Sequence, residues 1–581
     1  MVRRRVAAVV GTALTLAALA ARPAAAQRVV GTVRDSASRE PIAGAAVLLL
    51  DANGVVVSRS LSSALGQFSA PGATARRLRV VRIGFRPREV ALPPAGQAVV
   101  RIDIDMPLLP TLLEAVDVRA NPRCPPRADR GAAFALLEQA RAGLLASVVE
   151  RDASPARLVR LAFDRSIDAA SGRIVRQSVR IDSSGATAAS FVASHTAGEF
   201  ARRGFMHDSA GVQYFYGPDA DVLLDDAFAT AYCFRLAADT SRPTEIGLAF
   251  QAADRRRGRI DVEGTLWVDT VARALRDVDF RFLGLPDEIM RLEPGGMTGF
   301  REVRPGIVLV DRWSLRLVGT TVGTTFYVAQ GEHTDSLMRS SYYLREAGGV
   351  LARATWPDGY AWRAPLGMLH GRAMRLDGTP AAGVELALVG ALYHKGEIVA
   401  GAATPYGATV DANGNFEIQD LVSGPYAVVV LEPKFRPLGY EMPAAVDFSM
   451  TGDSTVTLAV GVPTAEQFVY ARCRDRSRLA DADSIMVFGR VMTTRGTPIY
   501  GVDLDAAWNV VTDPAAWFGA ASFHRTATDG LFFMCHQPLR DGVLGDTLWL
   551  SARYESRPLF DARVPVTGTL TVVPLQVRRL P

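Results

Sequence analysis

Clustered carboxylates are the residues of this chain whose types and spacing could most readily support chemistry. Such a cluster could collect calcium, which favours several carboxylate oxygens, or supply a carboxylate pair for glycoside cleavage. The simpler alternative is a solvated corner at which an Asp caps the segment Asp226–Tyr232. The cluster consists of Asp219, Asp221, Asp225 and Asp226.

The histidines point to no known catalytic site. Zinc carboxypeptidases use His-x-x-Glu with a third ligand downstream, and we predict that this site and the His-Glu-x-x-His site are absent. Glu199 follows His195 by four residues, but the flanking sequence offers no second ligand. A serine-hydrolase elbow, a P-loop and a dinucleotide-binding motif are also absent. We therefore predict a protein that is not an enzyme and has no metal and no cofactor.

The composition favours a folded protein that does not bind nucleic acid. Hydrophobic residues make up 49% and charged residues 22% of the 581 residues, enough to build buried cores. The net charge of +5 is small for this length, and its basic residues are almost all scattered arginines. We attribute the arginines to coding bias and predict no nucleic-acid partner.

The N-terminus has the pattern of a secretory signal peptide. Three arginines at 3–5 precede an apolar run at 6–21 and small residues at 24–26. We predict that residues 1–26 are a signal peptide cleaved after Ala26, with an uncleaved anchor as the alternative. No later apolar run reaches the roughly 18 residues of a membrane span. The predicted location is periplasmic, outer-membrane-associated or extracellular, without a transmembrane span after cleavage.

Four cysteines in an exported chain indicate disulfides. Proximity within domains favours Cys124 with Cys233 and Cys473 with Cys535, although the sequence permits three pairings and free buried thiols remain the alternative.

One sequence pattern occurs three times. The first copy carries Gly31, Pro41 with Gly44, the Gly66-x-Phe68 turn and Ile83-Gly84-Phe85, and looser copies run from Gly371 and from Gly489. Turn residues at spacings of roughly 8–12 residues predict small β-sandwiches. We therefore expect a mainly β, multi-domain chain.

The first copy resembles the carboxypeptidase regulatory-like domain, a transthyretin-like sandwich with a carbohydrate-binding-like fold. It is similar too to the domain placed before many TonB-dependent receptors, down to the tail at 112–118. It departs from the family's usual Thr-Asp pair, because Ser62 and Ser63 stand before the Gly66 turn. The resemblance implies a sandwich without catalytic residues. It also implies a binding or scaffolding role toward a carbohydrate, a peptide or an envelope protein.

The repeats divide the chain into predicted regions. Between the first two repeats, an amphipathic helix presents Phe134, Leu137, Leu144, Leu145 and Val148 on one face, and strongly alternating segments predict a central antiparallel sheet. The regions are a first sandwich at 27–118, a linker and helix at 119–155, a central β domain at 156–347, a linker at 348–365, a second sandwich at 366–470 and a third at 485–581.

The central domain leaves two further functions open. Two of its strands resemble those of periplasmic lipoprotein-carrier half-barrels, whose open apolar face could hold an acyl chain. A sheet covered by the helix at 132–151 is the simpler alternative. An enzyme with an unrecognised site in this region is the other open function.

Aromatic residues outside the alternating strands are candidates for contact with a ligand, although aromatics at such positions are also common in cores. Those in the predicted linker should be exposed, and the others lie in an insertion of the third repeat. The candidates are Trp356, Tyr360, Trp362, Trp508 and Trp517.

Overall fold

The computed structural model describes most of the chain. The described residues are 27–93, 97–109, 130–153, 156–182, 195–209, 212–253, 258–321, 325–330, 333–338, 341–394, 397–472, 485–510, 513–518, 524–536, 544–566 and 568–578. The predicted signal peptide, Cys124 and Cys473 lie outside them. The described chain separates into two compact units, one holding residues up to 173 with 180–364 and the other residues 174–179 with 365–581.

The first repeat folds as two sheets that enclose an apolar core. Its core side chains alternate along the strands, as Val29 and Val33 do on β1 and Val47 and Leu49 on β2, because successive side chains point to opposite faces. The strands are β1 (Arg28–Asp35), β2 (Ala46–Leu50), β3 (Val56–Leu61), β4 (Gln67–Pro71), β5 (Arg77–Val81), β6 (Arg88–Ala91), β7 (Val99–Arg101) and β8 (Ile104–Met106).

The second and third repeats form sheets from two further sets of strands. The second set is β23 (Gly367–Arg375), β24 (Glu385–His394), β25 (Glu397–Thr409), β26 (Asn415–Leu421), β27 (Gly424–Val430), β28 (Met442–Met450) and β29 (Thr455–Val462), with a 3-10 helix (Pro433–Leu438) and α6 (Ala465–Tyr470). The third set is β30 (Ile485–Thr493), β31 (Val502–Val510), β32 (Asp513–Phe518), β33 (His524–Arg525), β34 (Leu531–His536), β35 (Leu544–Tyr554), β36 (Arg557–Pro565) and β37 (Leu570–Val577).

All three repeats have the same topology. In the first, second and third repeat, one sheet has the strand orders β4-β1-β7, β26-β23-β29 and β34-β30-β37, respectively. In the first repeat β8 also pairs with β1. The other sheet has the orders β3-β2-β5-β6, β25-β24-β27-β28 and β32-β31-β35-β36. In each repeat the first strand therefore pairs antiparallel with the strand that follows the glycine turn and parallel with the last strand. The mainly β fold of repeated sandwiches is confirmed.

The repeated sequence motif makes the same backbone hydrogen bonds in each copy. The turn glycine, which has a positive φ, accepts a hydrogen bond from the first strand, and a proline after that strand bridges back to it. The acceptor bonds are Val33 N to Gly66 O (2.8 Å), Ala373 N to Gly414 O (2.7 Å) and Val491 N to Gly530 O (2.9 Å). The bridges are Arg34 with Pro41, Met374 with Pro380 and Met492 with Pro498.

The region between the first and second repeats consists of a long antiparallel sheet with short helices. Its elements are α1 (Arg130–Ala153), β9 (Arg157–Asp168), β10 (Ile174–Asp182), α2 (Ala197–Arg203), β11 (Met206–Ser209), β12 (Val212–Phe215), α3 (Ala220–Leu224), α4 (Asp226–Ala231), β13 (Tyr232–Ala237), β14 (Glu245–Ala252), β15 (Asp261–Asp269), β16 (Ala274–Leu283), α5 (Asp287–Met290), β17 (Gly295–Arg304), β18 (Ile307–Thr321), β19 (Thr325–Gln330), β20 (His333–Met338), β21 (Ser341–Thr355) and β22 (Ala361–Arg363).

Within the first unit the central sheet runs in the order β9, β21, β18, β17, β16, β15, β14, β13, and each neighbouring pair is antiparallel. Helix α1 lies against this sheet, and Leu137, Ala140 and Leu144 share one core with Leu266 and Val278. The helix therefore covers an apolar face of the sheet, which agrees with the simpler of the two predicted arrangements.

The first sandwich belongs to the same compact unit as the central sheet. Ala46, Val81 and Ile83 of the sandwich lie in the core that α1 and the sheet share. Gly84 N donates to Gln139 Oε1 at 2.6 Å, and Gln139 Nε2 donates to Phe85 O at 3.3 Å. The buried amide of Gln139 thus bonds helix α1 to the Ile83-Gly84-Phe85 turn of the repeat.

The predicted linker at 348–365 is largely strand, which corrects the sequence analysis. Residues 348–355 continue β21 and pair with β9, and residues 348–350 also pair with β18. Gly348 within this strand has a packing reason, because a Cβ there would lie 2.3 Å from Phe163 Cζ. The glycine therefore makes room for an aromatic ring from the neighbouring strand, and the strand continues.

An aromatic cluster joins the second and third repeats within the second unit. The Phe488 ring of β30 lies 4.8 Å from the Phe435 ring, 5.4 Å from the Tyr440 ring and 6.3 Å from the Phe468 ring, measured between centroids. Arg490 Nη1 also donates to Leu438 O at 3.0 Å and to Gly439 O at 2.8 Å. Apolar and polar contacts thus fix these two sandwiches to each other.

Among the described residues, none of the helices combines the length and the apolarity that a membrane span requires.

Candidate functional site: a cleft beside the first sandwich

Three segments of the first unit surround a cleft of about 550 Å³. They are residues 61–65 at the end of β3, residues 304–307 between β17 and β18, and residues 356–358 after β21. This volume lies within the range of roughly 300–1,000 Å³ that small-molecule sites occupy. The cleft therefore has the size of a ligand site, and one of its walls is the repeated motif of the first sandwich.

Hydroxyl groups fix the wall that the first sandwich contributes. Ser62 is 3% exposed, and its Oγ donates to Ile42 O at 2.6 Å and accepts from Ala45 N at 2.8 Å. Ser63 Oγ accepts from the N–H groups of Leu65 and Gln67 at 3.3 and 3.2 Å. The two serines that depart from the family pattern thus hold the turn together.

A glycine pair brings this wall against the central domain. A Cβ on Gly44 would lie 2.1 Å from Gly306 O, and a Cβ on Gly306 would lie 2.2 Å from Gly44 N. Gly44 has φ +66° and Gly306 φ +80°, so both also occupy the left-handed region that favours glycine. Only two residues without side chains allow the two backbones to approach this closely.

An ion pair and the side chain of Trp356 form part of the opposite wall. Arg304 Nη1 lies 2.7 Å from Asp358 Oδ2, and the Arg304 guanidinium lies 4.9 Å from the centre of the Tyr360 ring. The Tyr360 N–H and the Arg304 side chain hold the pKa of Asp358 below its ordinary value. This wall therefore presents a paired carboxylate and guanidinium beside aromatic surface.

The predicted aromatic contacts are only partly exposed. Trp356 is 4% exposed, because it packs in a core with Leu309 and Leu351, so its predicted exposure is wrong, although it is one of the residues that line the cleft. Tyr360 is 39% exposed, and Trp362 is half-buried.

The aromatic candidates of the third repeat lie on β31 and β32, where Asn509 pairs with Trp517 and Trp508 with Phe518. Their side chains are outside the described part of the chain.

Two members of the acidic cluster cap the N-termini of helices in this structure. Asp219 Oδ1 accepts from Val222 N at 2.8 Å and caps α3, and Asp225 Oδ1 accepts from Ala227 N at 2.8 Å and caps α4. Asp226 pairs with Arg141 of α1 at 3.0 Å. The expected capping is present, although Asp219 is buried and not solvated. Asp221 is exposed on α3.

The cysteine pairing stays a prediction. Cys233 lies on β13 and is disulfide-bonded. Cys124, Cys473 and the side chain of Cys535 lie outside the described residues.

The sequence does contain one His-x-x-Glu spacing, which corrects the predicted absence. His394 and Glu397 carry it, and they are paired residues at the facing ends of β24 and β25. Their side chains are outside the described part. Zinc peptidases need a third ligand as well, and the chain shows no further element of that motif beside this pair.

A second group of ionisable side chains lies in the first unit away from the cleft. His195 Nδ1 is 3.1 Å from Glu199 Oε2, and His195 Nε2 is 3.1 Å from His207 Nδ1. Burial and the neighbouring His195 lower the pKa of His207. Desolvation raises the pKa of Glu199, but the charge and hydrogen bond of His195 outweigh it, so this pKa lies below its ordinary value. Sequence spacing alone does not connect His207 with the other two residues.

The residues that line the cleft offer hydrogen-bonding groups and apolar surface to a ligand. They include hydroxyl groups, one ion pair and apolar side chains, and neither a histidine nor a cysteine is among them. A smaller cavity of about 310 Å³ lies between Ile83, α1 and the sheet, with Gln139 and Arg273 among its polar residues. That volume is at the lower limit for small-molecule sites.

When the whole chain is compared with known proteins, the similarities are weak. The comparison with curated proteins finds no match. Among solved structures, the TIE protein of Bacillus anthracis is 8% identical over 64% of each chain, with a TM-score of 0.13. The minor pilin of Streptococcus agalactiae is 12% identical over 37% of this chain and 96% of its own, with a TM-score of 0.14. The major pilin subunit of Bacillus cereus is 10% identical over 75% and 99%, with a TM-score of 0.14. TM-scores this low support no conclusion about fold or function.

The first repeat gives a specific match. Residues 28–107 match the family model of the carboxypeptidase regulatory-like domain. These residues include β1 to β8 and the serines of the cleft wall. The prediction that the first repeat is a carboxypeptidase regulatory-like domain is thereby confirmed.

Proposed function

We propose that this chain is an exported, non-catalytic protein of the cell envelope that acts as a binding or scaffolding module. The cleft between the first sandwich and the central domain is its proposed ligand site. The observation that carries this proposal is the meeting of three separate segments, residues 61–65, 304–307 and 356–358, around one cavity of ligand size.

The construction of the cleft supports a rigid site. The glycine contact between Gly44 and Gly306 and the buried hydroxyl of Ser62 fix one wall, and the ion pair of Arg304 with Asp358 fixes the other. A site held in place by packing loses little conformational entropy when a ligand binds. The same construction suits a scaffold that presents its surface at a fixed position.

The chemistry of the lining favours a polar ligand rich in hydroxyl groups. The Ser63 hydroxyl and the Asp358 carboxylate accept hydrogen bonds, the Arg304 guanidinium donates them, and Trp356 offers aromatic surface. Sugars combine hydroxyl groups with an apolar ring face, so a carbohydrate fits this lining better than a simple acyl chain. A peptide or an envelope protein would use the same groups.

The envelope location is part of the proposal, and its support is the signal-peptide pattern of residues 1–26. We expect the mature protein to begin at Gln27. The mass of the intact protein from the envelope fraction tests this directly, since retention of residues 1–26 would favour the uncleaved anchor.

The lipid-carrier alternative has less support. A carrier would leave an apolar face of the sheet open, whereas α1 packs there through Leu137, Ala140 and Leu144. The enzyme alternative also has less support, because the hydroxyls of Ser62 and Ser63 in the described cleft are hydrogen-bonded to backbone groups.

A substitution that fills the cleft tests the proposal. Ala64 is exposed in the turn that forms one wall, so Ala64→Trp should block the cleft without disturbing the core of the sandwich. We expect wild-type protein, purified under native conditions and then extracted, to release a glycan or another small ligand in stoichiometric amount by mass spectrometry. Ala64→Trp should release little or none.

The second repeat offers a matched control. Ala412 occupies the same place before Gly414 that Ala64 occupies before Gly66, and it too is exposed. Ala412→Trp should therefore retain the ligand. Equal ligand content in the wild type and Ala64→Trp would exclude this cleft, and an empty wild type that also fails to bind envelope oligosaccharides by calorimetry would refute a sugar-binding function.

A further inference from the structure

Three side chains of types that can ligate a metal, those of His195, Glu199 and His207, meet around α2 and β11, at a place that the proposed function does not use. His195 directly precedes Thr196, whose Oγ1 accepts from Glu199 N at 3.3 Å and caps α2. Gly204, with φ +83°, ends the helix, and β11 then places His207 beside it. A seven-residue helix followed by a glycine turn thus brings together residues separated by up to twelve positions.

The donor atoms of these side chains are close enough to share one ion. One ligand atom from each of His195, Glu199 and His207 lies within 4.8 Å of the others. His195 Nε2 and His207 Nδ1 are 3.1 Å apart. Two ligands on a tetrahedral zinc ion with bonds of about 2.0–2.1 Å are separated by about 3.3 Å. The two nitrogens therefore already have the separation that a shared zinc ion requires.

Hydrogen bonds within the group leave one buried nitrogen without a partner. The Glu199 carboxylate can only accept, so His195 Nδ1 donates to it and, in the neutral ring, Nε2 accepts from His207 Nδ1. His207 Nε2 is then a lone pair, and it is buried without a hydrogen-bond partner in a residue that is 9% exposed. A metal ion on His207 Nδ1 would move the proton of this ring to Nε2, so the ring would bind through the nitrogen that faces His195.

Neighbouring side chains hold the three candidate ligands in place. The carboxylate of Glu199 also pairs with Arg203 at 3.3 Å, and the Tyr216 ring lies 4.9 Å from His195 and 5.2 Å from His207. Phe200, 1% exposed, packs beneath both histidine rings. The side chains of His195 and Glu199 are 26% exposed, so the group is open to solvent on one side.

We propose that His195, Glu199 and His207 bind a zinc ion, with a water molecule in the fourth position on the exposed side. Two imidazoles and one carboxylate form a ligand set suited to zinc, whereas calcium and magnesium prefer oxygen ligands alone. The ion would tie α2 to the β11–β12 hairpin. This assignment is independent of the ligand cleft.

Metal content measures the proposal directly. The full-length mature protein, prepared without a histidine tag, is freed of metal by a chelator and dialysed against micromolar zinc. We expect about one zinc ion per chain. His195→Ala and Glu199→Gln should each weaken zinc affinity by more than about tenfold. Cobalt in place of zinc should give the visible absorption of a tetrahedral site in the wild type but not in His195→Ala or Glu199→Gln.

His370→Ala is the matched control. His370 Nδ1 lies 3.4 Å from Glu417 Oε2 on an exposed face of the second repeat, so this variant also removes a histidine paired with a glutamate. It should keep full zinc content. His195 and Glu199 are chosen over the buried His207 because their partly exposed side chains can change without loss of the fold, which circular dichroism checks.

Thermal unfolding adds a second measurement. Zinc should raise the melting temperature of the wild type and of His370→Ala but not of Glu199→Gln, because a ligand that binds only the folded state stabilises it. The proposal fails if the metal-free wild type takes up no zinc, or if His195→Ala and His370→Ala bind zinc equally.

Discussion

At the scale of single residues, the two serines that depart from the family pattern explain how the first sandwich keeps its motif. Ser62 makes two buried hydrogen bonds, to Ile42 O and from Ala45 N. Thr526 makes the equivalent bonds in the third repeat, to Ile499 O and from Val502 N, both at 2.8–2.9 Å. In the first and third repeats, a side-chain hydroxyl, which Ser and Thr share, makes both bonds at this position.

A substitution at Gly44 tests the contact between the first sandwich and Gly306 of the central domain. Gly44→Ala should cost about 1 kcal/mol for its left-handed conformation and also push Gly306 away. We expect faster hydrogen–deuterium exchange at residues 304–307.

Gly383 is the control for this effect, because it has φ +76° at the same motif position, while a Cβ added there would meet nothing within 4 Å. Gly383→Ala should carry the strain alone and leave exchange at residues 304–307 unchanged. Equal exchange in both variants would mean that the glycine contact does not hold the cleft wall.

The zinc ligands show what sequence spacing could and could not reveal. His195 and Glu199 stand on adjacent turns, and their proximity can be read from a spacing of four residues. His207 could not be assigned, because its position depends on the turn at Gly204 and on the direction of β11. Two candidate ligands near a short helix, followed by a histidine beyond a glycine, are the signal that could have found it.

At the scale of elements, the repeated motif was the strongest guide to the fold. Its glycines and prolines encode local turns, so the sequence alone was sufficient to predict three copies, and each copy does make the same bonds between its first strand and its turn. The alternating segments likewise became β15, β16 and β18. The continuation of β21 through Gly348 was missed. The glycine makes room for the ring of Phe163 on β9, which neighbours β21 in the sheet but is far from it in sequence.

Helix α1 supplies a prediction about how elements are joined. Gln139 is 5% exposed and bonds to the backbone of Gly84 and Phe85. Gln139→Ala leaves these groups without a partner, which should cost about 1–3 kcal/mol and accelerate hydrogen exchange at Gly84.

The neighbouring Glu138 is a control on the same helix. It pairs with Arg79 at 3.4 Å, with both side chains around 40% exposed. Because an exposed ion pair contributes less than about 1 kcal/mol, Glu138→Ala should leave exchange at Gly84 as it is in the wild type. An equal response to both substitutions would show that the helix is held by packing alone.

At the scale of the whole molecule, the second unit joins two sandwiches through one aromatic ring. Phe488 is fully buried between Phe435, Tyr440 and Phe533. Phe488→Ala should cost about 3–5 kcal/mol and release the 3-10 helix of the neighbouring sandwich. Hydrogen exchange at residues 433–438 measures this release.

Leu550→Ala separates loss of contact from loss of stability. Leu550 is fully buried in the core of the third sandwich and belongs to a cluster that does not include the aromatic residues of the junction. It should destabilise the third sandwich with little change at residues 433–438. Faster exchange there in both variants would show that the second sandwich depends on the third as a whole.

The parallel pairing of first and last strands has a mechanical consequence for each sandwich. In the second repeat β23 and β29 pair over eight residues, and in the third β30 and β37 do the same. The chain thus enters at one end of a strand pair and leaves at the other. A force that pulls a sandwich by its two ends loads all the hydrogen bonds of that pair together, in shear, instead of opening them one after another.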